Sequence, residues 1–179
     1  MKNNKLLLFG ALLLVSTLFA CKKGGISSAF DKSYDTWLAF KKKTNNTYAY
    51  VAVSGDNLST YSETKITVSQ GSITARDFVL YQYTYIPDSN ITRKTVTEEW
   101  HESASHSNMN THGADGAGLF TMDDIYYKAQ NIWLKANTNK NVITFETNND
   151  GMISTAGYTP KSCQSGDCLI GIKIKSISQ

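Results

Sequence analysis

The chain has 179 residues, a formal net charge of +3 and 41% hydrophobic residues, which suits a single domain with a real core. The nearly neutral charge gives no electrostatic footprint for nucleic acid, so no nucleic-acid partner is predicted. Ten tyrosines and only two prolines, together with abundant threonine, favour β-strands.

Residues 1–20 have the layout of a secretory signal peptide. Two lysines precede an almost wholly apolar run over 6–15, which is too short for a comfortable membrane span of about 20 residues. The residues Leu-Phe-Ala-Cys at 18–21 resemble the bacterial lipoprotein box. The resemblance implies cleavage before Cys21, which then carries a diacylglyceryl group and an acylated amine, with chains such as palmitate that anchor it firmly. An ordinary cleaved signal peptide is the main alternative, and an uncleaved transmembrane anchor is the less favoured one.

The lipoprotein interpretation divides the chain into three parts. These are a signal peptide over 1–20, a lipidated cysteine with a short flexible tether over 21–28, and a single domain over 29–179. The resemblance also implies a bacterial cell envelope. Lys22 follows the cysteine, and by the sorting rule of such lipoproteins this favours the outer membrane, facing the periplasm. The membrane is therefore one predicted partner, through the N-terminal lipid.

The first half of the mature chain predicts one helix and four strands. Apolar residues at helical spacing mark a helix over 29–43, namely Phe30, Tyr34, Trp37 and Leu38. Strands separated by turn residues follow over 47–54, 59–70, 72–86 and 95–102. The first of these strands has apolar groups on both faces, which predicts a central position in a sheet.

A polar, glycine-rich loop over 103–119 separates the two halves. A loop of this length in a compact domain is often functional or mobile. Thr121 then caps a second amphipathic helix, which runs to about residue 137. Three further strands are predicted over 141–147, 152–158 and 168–177, and an Asp-Gly turn joins the first two of them.

Cys163 and Cys168 are an even pair once the lipid has taken Cys21. An oxidising periplasm permits a structural disulfide between them. A redox-active or metal-binding pair is the alternative. Redox motifs usually have two intervening residues, whereas this pair has four, and zinc would need two more ligands nearby.

The order of elements is helix, four strands, helix and three strands. Strands joined by short turns pair antiparallel, and two helices with one apolar stripe each need a sheet face to cover. The sequence therefore predicts a two-layer α+β sandwich, with an antiparallel sheet of about seven strands and two amphipathic helices.

All three histidines, His101, His106 and His112, lie close together in the chain, beside Glu102 and Asp115. Imidazoles and carboxylates suit zinc, copper or nickel, so a metal site is one hypothesis. Their spacing matches no motif, and a strand would send His101 and Glu102 to opposite faces. Solvated loop histidines, one of them packed, are the favoured interpretation, and no metal or other cofactor is predicted.

Segment 146–151, Glu-Thr-Asn-Asn-Asp-Gly, superficially resembles a calcium loop. A calcium loop would need a bidentate glutamate at its twelfth position, where this chain has Gly157. The flanking residues also have the pattern of strands. A β-hairpin is therefore predicted here.

Catalytic motifs are missing from the sequence. It contains no G-x-S-x-G, S-x-x-K or H-E-x-x-H, and its glycine-rich loop lacks the G-K-[ST] of a phosphate-binding loop. An enzyme is therefore not predicted.

Tyr81, Tyr83 and Tyr85 alternate along the third predicted strand, which places their rings on one face. Such a ladder can bind a glycan or a peptide by stacking. A sheet face packed under a helix is the commoner alternative.

The chain also resembles an uncharacterised family of small bacterial lipoproteins. The resemblance lies in a Trp-bearing helix running into a Tyr-x-Tyr strand (34–53), a strand-Gly-strand hairpin (68–76), a His-Gly-Ala loop entering a helix (112–130), and a hairpin before the final cysteines (145–154). It covers most of 30–177. It implies no known activity or catalytic residues.

These observations predict a non-catalytic, membrane-anchored binding or interaction module of the envelope, working through a sheet face or the 101–119 loop. Its partner would be an envelope protein, peptide or glycan. A periplasmic protein that binds a metal or small ligand with its His101–His112 loop is the alternative function.

Overall fold

The chain forms the predicted two-layer α+β sandwich. The structure is a computed structural model that describes residues 21–56, 59–106, 109–164 and 168–179, with the backbone alone for 21–24 and His106. Within these residues, one antiparallel sheet of seven strands carries two α-helices, and the elements follow the predicted order.

Helix α1, Cys21–Lys43, is longer than predicted. It extends through 21–28, the residues predicted as a flexible tether, because no proline interrupts them and their two glycines only weaken a helix. Trp37 of the predicted apolar stripe is fully buried, and Lys41 lies in the last turn, where a cation complements the helix dipole. Within the described residues, neither this helix nor any other combines the length and the hydropathy of a membrane span.

Helix α2, Met122–Asn131, begins as predicted and ends earlier. Thr121 accepts a hydrogen bond from the Asp124 backbone amide, and the Asp124 carboxylate accepts one from the Thr121 amide, so a capping box stabilises the start. A 3₁₀ turn, Trp133–Lys135, replaces the predicted last turns and carries Trp133 into the core. The buried side of α2 consists of Met122, Ile125, Tyr126 and Ala129.

The strands lie close to their predicted positions. The strands are β1 Tyr48–Gly55, β2 Thr60–Ser69, β3 Ser72–Ile86, β4 Ile91–Ser103, β5 Asn141–Glu146, β6 Thr155–Pro160 and β7 Ile170–Ser178. Their order across the sheet is β4-β3-β2-β1-β7-β6-β5, so β1 is central, as predicted. β4 begins earlier than predicted, because Ile91 pairs with Ile86 across a short turn and prolongs the β3–β4 hairpin.

Trp37 is the centre of the core between helices and sheet. Its ring packs edge-on against Tyr48 of β1 at 5.0 Å and stacks on Tyr126 of α2 at 6.2 Å. Its indole nitrogen donates to the Asp123 carboxylate at 2.9 Å. Aromatic pairs of this kind contribute about 0.5–1.5 kcal/mol beyond their buried area, so this tryptophan joins both helices to the central strand.

Cys163 and Cys168 form a disulfide, with their Cα atoms 6.3 Å apart. The bond closes a small loop between β6 and β7. It also fixes the chain just before Leu169, a residue that lines the groove described below.

Candidate functional site

The helix-covered face of the sheet is organised in three cross-strand rows. Side chains in one row lie directly opposite each other on neighbouring antiparallel strands. The inner row is buried, whereas the outer row lines an open groove. The inner row holds Tyr50, Ile66, Arg76 and Glu102; the middle row holds Ala52, Thr64, Phe78 and Trp100; the outer row holds Ser54, Ser62, Leu80 and Glu98.

A buried ion pair ends the inner row at the edge of the sheet. Arg76 of β3 and Glu102 of β4 are both 0% exposed. Arginine Nε donates to glutamate Oε2 at 2.9 Å, and Nη2 donates to Oε1 at 3.0 Å, which is the strong bidentate geometry. Such a pair is stable in the interior only when the other lone pairs and protons are also satisfied.

The loop after β4 provides hydrogen-bond donors for the Glu102 carboxylate. The backbone amides of Asn110 and His112 donate to Glu102 at 2.9 and 2.8 Å, and the Thr111 hydroxyl donates to it at 3.0 Å. Three consecutive residues are thus ordered around one side chain. The polar loop, predicted to be functional or mobile, is held against the sheet by residues 110–112.

The arginine holds the second part of the same loop. Arg76 Nη1 donates to the carbonyl oxygens of Gly113 and Ala117 at 3.4 and 3.3 Å. The backbone amide of Ala117 donates in turn to the hydroxyl of Thr64 at 2.9 Å. Segment 110–117 is therefore attached to both the inner and the middle row.

The pKa of Glu102 is shifted by burial and by these hydrogen-bond donors. Burial alone would raise the pKa of the carboxyl group. The Arg76 guanidinium and the backbone amides of His112 and Asn110 outweigh burial and hold the pKa well below its usual range. The carboxylate is therefore ionised in the folded protein at neutral pH.

Two tyrosines of β1 fix the far end of the loop. The Tyr50 hydroxyl donates to the carbonyl oxygen of Phe120 at 2.7 Å, and the Met122 amide donates to the Tyr48 hydroxyl at 2.8 Å. Burial raises the pKa of Tyr48 to about 12. Burial also raises the pKa of Tyr50 far above its ordinary value, so both phenols stay neutral at physiological pH.

Ring stacking covers the middle row at the β4 edge. The His112 ring stacks on Trp100 with centroids 4.2 Å apart, and Trp100 stacks on Phe78 at 4.9 Å. The guanidinium carbon of Arg76 lies 4.7 Å from the Trp100 ring centroid, within range of a cation–π contact. His112 therefore packs against the protein through its ring.

Beyond the loop, the sheet face opens into a groove of about 520 Å³. This lies within the range of about 300–1,000 Å³ that is usual for ligand sites. The groove lies over a part of the sheet where the side chains are small. Its floor includes Ala52, Ser54, Ser62 and Thr64, and its walls include Phe78, Phe120, Trp133 and the backbone of residues 114–118.

Gly116 brings the loop wall into contact with the floor. Its φ of +73° is a left-handed conformation that favours glycine. A Cβ atom at this position would lie 2.8 Å from both Phe78 and Thr64. Only glycine lets the wall approach the middle row this closely.

Two carboxylates give the groove its charge. Glu98 lines it from the edge strand β4, and Asp115 lines it from the loop wall. Lys173 also belongs to the lining, but it lies opposite Val53 in β1, and its buried neighbours Ile172 and Ile174 face the core. By strand alternation its ammonium group is on the other face of the sheet, and the groove keeps a negative end.

His101 and His112 are not brought together. His101 lies on the exposed face of β4, where it pairs with Asp77, whereas His112 packs on Trp100 across the sheet. The side chain of His106 lies outside the described part. Among the side chains that the structure describes, no three histidine, cysteine, aspartate or glutamate groups are arranged to hold a metal ion.

The tyrosine ladder is on the open face of the sheet, not under a helix. Tyr81 stacks on Tyr61 of β2 at 6.3 Å. Lys94 of β4 places its ammonium 3.6 Å from the Tyr81 ring centroid and 5.9 Å from that of Tyr83. The protein's own cation thus covers part of this face, while Tyr85 is 58% exposed.

The calcium-like segment is the predicted hairpin. It joins β5 to β6, which pair antiparallel, and Asn149 pairs with Met152 at its tip. The Asn149 amide nitrogen donates to the carbonyl oxygens of Ile153 and Ile174. This side chain therefore stabilises the turn.

The groove and the Arg76–Glu102 pair were not predicted from the sequence. A signal was present: alternation along β3 places Arg76 on the same face as Phe78 and Leu80, and an arginine on an apolar face needs an acidic partner. The groove had no comparable signal, because it depends on which rows the helices leave uncovered.

Comparison with known protein families, with curated proteins and with solved structures finds no match to this chain. The geometry of the groove and the sequence of the N-terminus therefore carry the functional assignment.

Proposed function

We propose that the chain is a lipid-anchored, non-catalytic binding protein of a bacterial cell envelope, and that the groove is its ligand site. The observation that carries the proposal is the groove itself. It is a concave surface of ligand size on a sheet face that is otherwise covered, with a few polar groups among apolar walls.

The anchor follows from the N-terminal pattern. The lipoprotein box at 18–21 and the apolar run before it support cleavage and lipidation at Cys21. The Cys163–Cys168 disulfide suits an oxidising compartment such as the periplasm. The outer membrane, with the domain facing the periplasm, remains the proposed location.

A binding role suits the groove better than a catalytic one. Among the described residues, no histidine belongs to its lining. The hydroxyl group of Thr64, which lines the groove, accepts a hydrogen bond from the Ala117 amide. This hydroxyl group therefore stabilises the loop that forms the groove wall. Hydrolytic catalysis by a hydroxyl nucleophile needs an adjacent base within hydrogen-bond reach.

The anchor is tested by labelling cells with a palmitate analogue and weighing the N-terminal peptide. We expect a lipidated Cys21 at the mature N-terminus, and loss of both label and membrane association in Cys21→Ala. An unmodified cysteine behind an intact Met1 would overturn this part of the proposal.

The groove is tested with a thermal-shift panel of capped hexapeptides, chitohexaose and lauric acid. Ser62→Trp fills the floor of the groove, and Thr67→Trp places the same bulk on the opposite face of the same strand. We expect at least one probe to stabilise the wild type and Thr67→Trp, but not Ser62→Trp. Absence of any stabilising probe, or equal responses of the two variants, would contradict a ligand site here.

A further inference from the structure

We propose that the groove binds an extended peptide segment of about six residues, with lysine or arginine at one end and a large apolar side chain at the other. This inference rests on the proposed function, because it names the ligand class of the same groove. Length, charge and apolar lining each support it.

The length follows from the strands that the groove crosses. Its lining comes from β4, β3, β2, β1 and β7, from Glu98 at one end to Ile172 at the other. Neighbouring strands are about 4.8 Å apart, so five strands span about 19 Å. An extended chain advances about 3.3 Å per residue, which gives about six residues. A compact small molecule would leave most of this length unfilled.

The negative charge at the β4 end of the groove indicates which side chain the ligand carries at that end. Glu98 lies at the β4 end of the groove, and Asp115 lies next to Gly116, which contacts the middle row near the same end. Lys173 is the one lysine or arginine among the described lining residues, and strand alternation places its ammonium group on the other face. A lysine or arginine side chain complements this end, and such complementarity gives specificity and a salt-dependent association rate.

The other end of the groove is apolar. Ile172 and Leu169 line it from β7 and the residue before that strand, and Trp133 contributes from the 3₁₀ turn after α2. A tryptophan beside aliphatic side chains suits an aromatic or branched side chain of the ligand. The two ends therefore differ, and the bound segment has one preferred direction.

Other chain-like ligands fit less well. A fatty acid would place its own negative carboxylate or its tail against Glu98, and burying a carboxylate beside a second one is unfavourable. A neutral oligosaccharide has no cation to offer to Glu98 and Asp115. A basic peptide uses both the charge and the apolar end.

Fluorescence anisotropy of labelled, capped hexapeptides tests the inference. The complete protein is reconstituted in lipid nanodiscs and titrated with Lys-Thr-Ser-Thr-Ser-Phe, with the reversed order, and with the counterparts that carry Glu in place of Lys. Glu98→Lys reverses the charge in the groove. Glu99→Lys is the matched control, since it makes the same change one residue along, opposite Val79 on the other face.

We expect one orientation of the lysine peptide to bind best, and its affinity to fall about tenfold in Glu98→Lys and less than about twofold in Glu99→Lys. Equal binding of the glutamate peptides, or equal effects of the two variants, would overturn the inference. Binding of chitohexaose or lauric acid alone, blocked by Ser62→Trp, would overturn the peptide assignment and leave the proposed function standing. Failure of every probe would remove both.

Discussion

Two glutamates on the same face of β4 have opposite environments. Glu102 is fully buried, ion-paired with Arg76 and surrounded by the backbone amides of a loop. Glu98 is exposed at the rim of the groove. A buried carboxylate whose hydrogen bonds are all made stabilises the fold. The exposed carboxylate of Glu98 lies in the concave site that we propose binds a ligand.

The largest expected effect is the loss of one partner of the buried pair. Arg76→Met leaves Glu102 as an uncompensated buried charge, which costs about 3–5 kcal/mol of unfolding free energy. Replacing both residues, Arg76→Met with Glu102→Leu, is expected to recover part of this loss. Urea denaturation measures both variants, and Glu98→Gln is the matched control, expected within about 0.5 kcal/mol of wild type. Equal losses of unfolding free energy in Arg76→Met and Glu98→Gln would contradict the comparison.

The stabilising contribution of Glu102 should also depend on pH. The folded-state pKa of Glu102 is depressed from its ordinary value of 4.5, so its stabilising contribution is complete above that pH and is lost as the pH falls toward the folded-state pKa. One proton contributes a slope of up to about 1.4 kcal/mol per pH unit. We expect unfolding free energies measured between neutral pH and the acid range to fall less steeply in Glu102→Gln than in wild type. The same slope in both proteins would show that the carboxylate is not specially stabilised.

The wall between the two environments depends on Gly116. Gly116→Ala combines an unfavourable φ with a Cβ contact at 2.8 Å, and we expect a loss of about 1–3 kcal/mol together with weaker peptide binding. Gly113→Ala is the control, because its φ is also positive, at +53°, but a Cβ there meets nothing within 4 Å. Thermal unfolding and anisotropy should separate the two variants. A Gly113→Ala protein that lost as much binding would contradict the contact.

The smallest expected effect concerns the disulfide. It closes a loop of sequence separation five, so its removal in the double variant Cys163→Ser, Cys168→Ser should cost about 2 kcal/mol or less. The inner row and the Glu102 network should keep their hydrogen bonds. Guanidine denaturation with and without reductant provides the measurement, and a cost as large as that of Arg76→Met would be unexpected.

Much of the fold could be predicted from local patterns. The apolar stripe through Trp37, the cap at Thr121 and the turn at 148–151 depend on neighbours in the chain, and each is present in the structure. The helix ends were less predictable. The glycines before residue 29 suggested a tether, and Ile132 gave no sign that the second helix stops there.

The candidate site could not be predicted in the same way. The tyrosine ladder and the histidine group could be recognised in the sequence because their members are close together in the chain. The Arg76–Glu102 pair joins two strands, and the groove joins five strands, a loop and a 3₁₀ turn. Such features depend on register and on the uncovered part of a face, which a single sequence does not specify.

The most direct test of the account is amide hydrogen exchange in wild type and in the Arg76→Met, Glu102→Leu double variant. The central claim is that this pair holds the loop that walls the groove. We expect the amides of Asn110, His112 and Ala117 to be protected in wild type and to lose protection in the variant, while Ile66 in β2 stays protected. Loop amides that exchange freely in wild type, or that keep their protection without the pair, would contradict the claim.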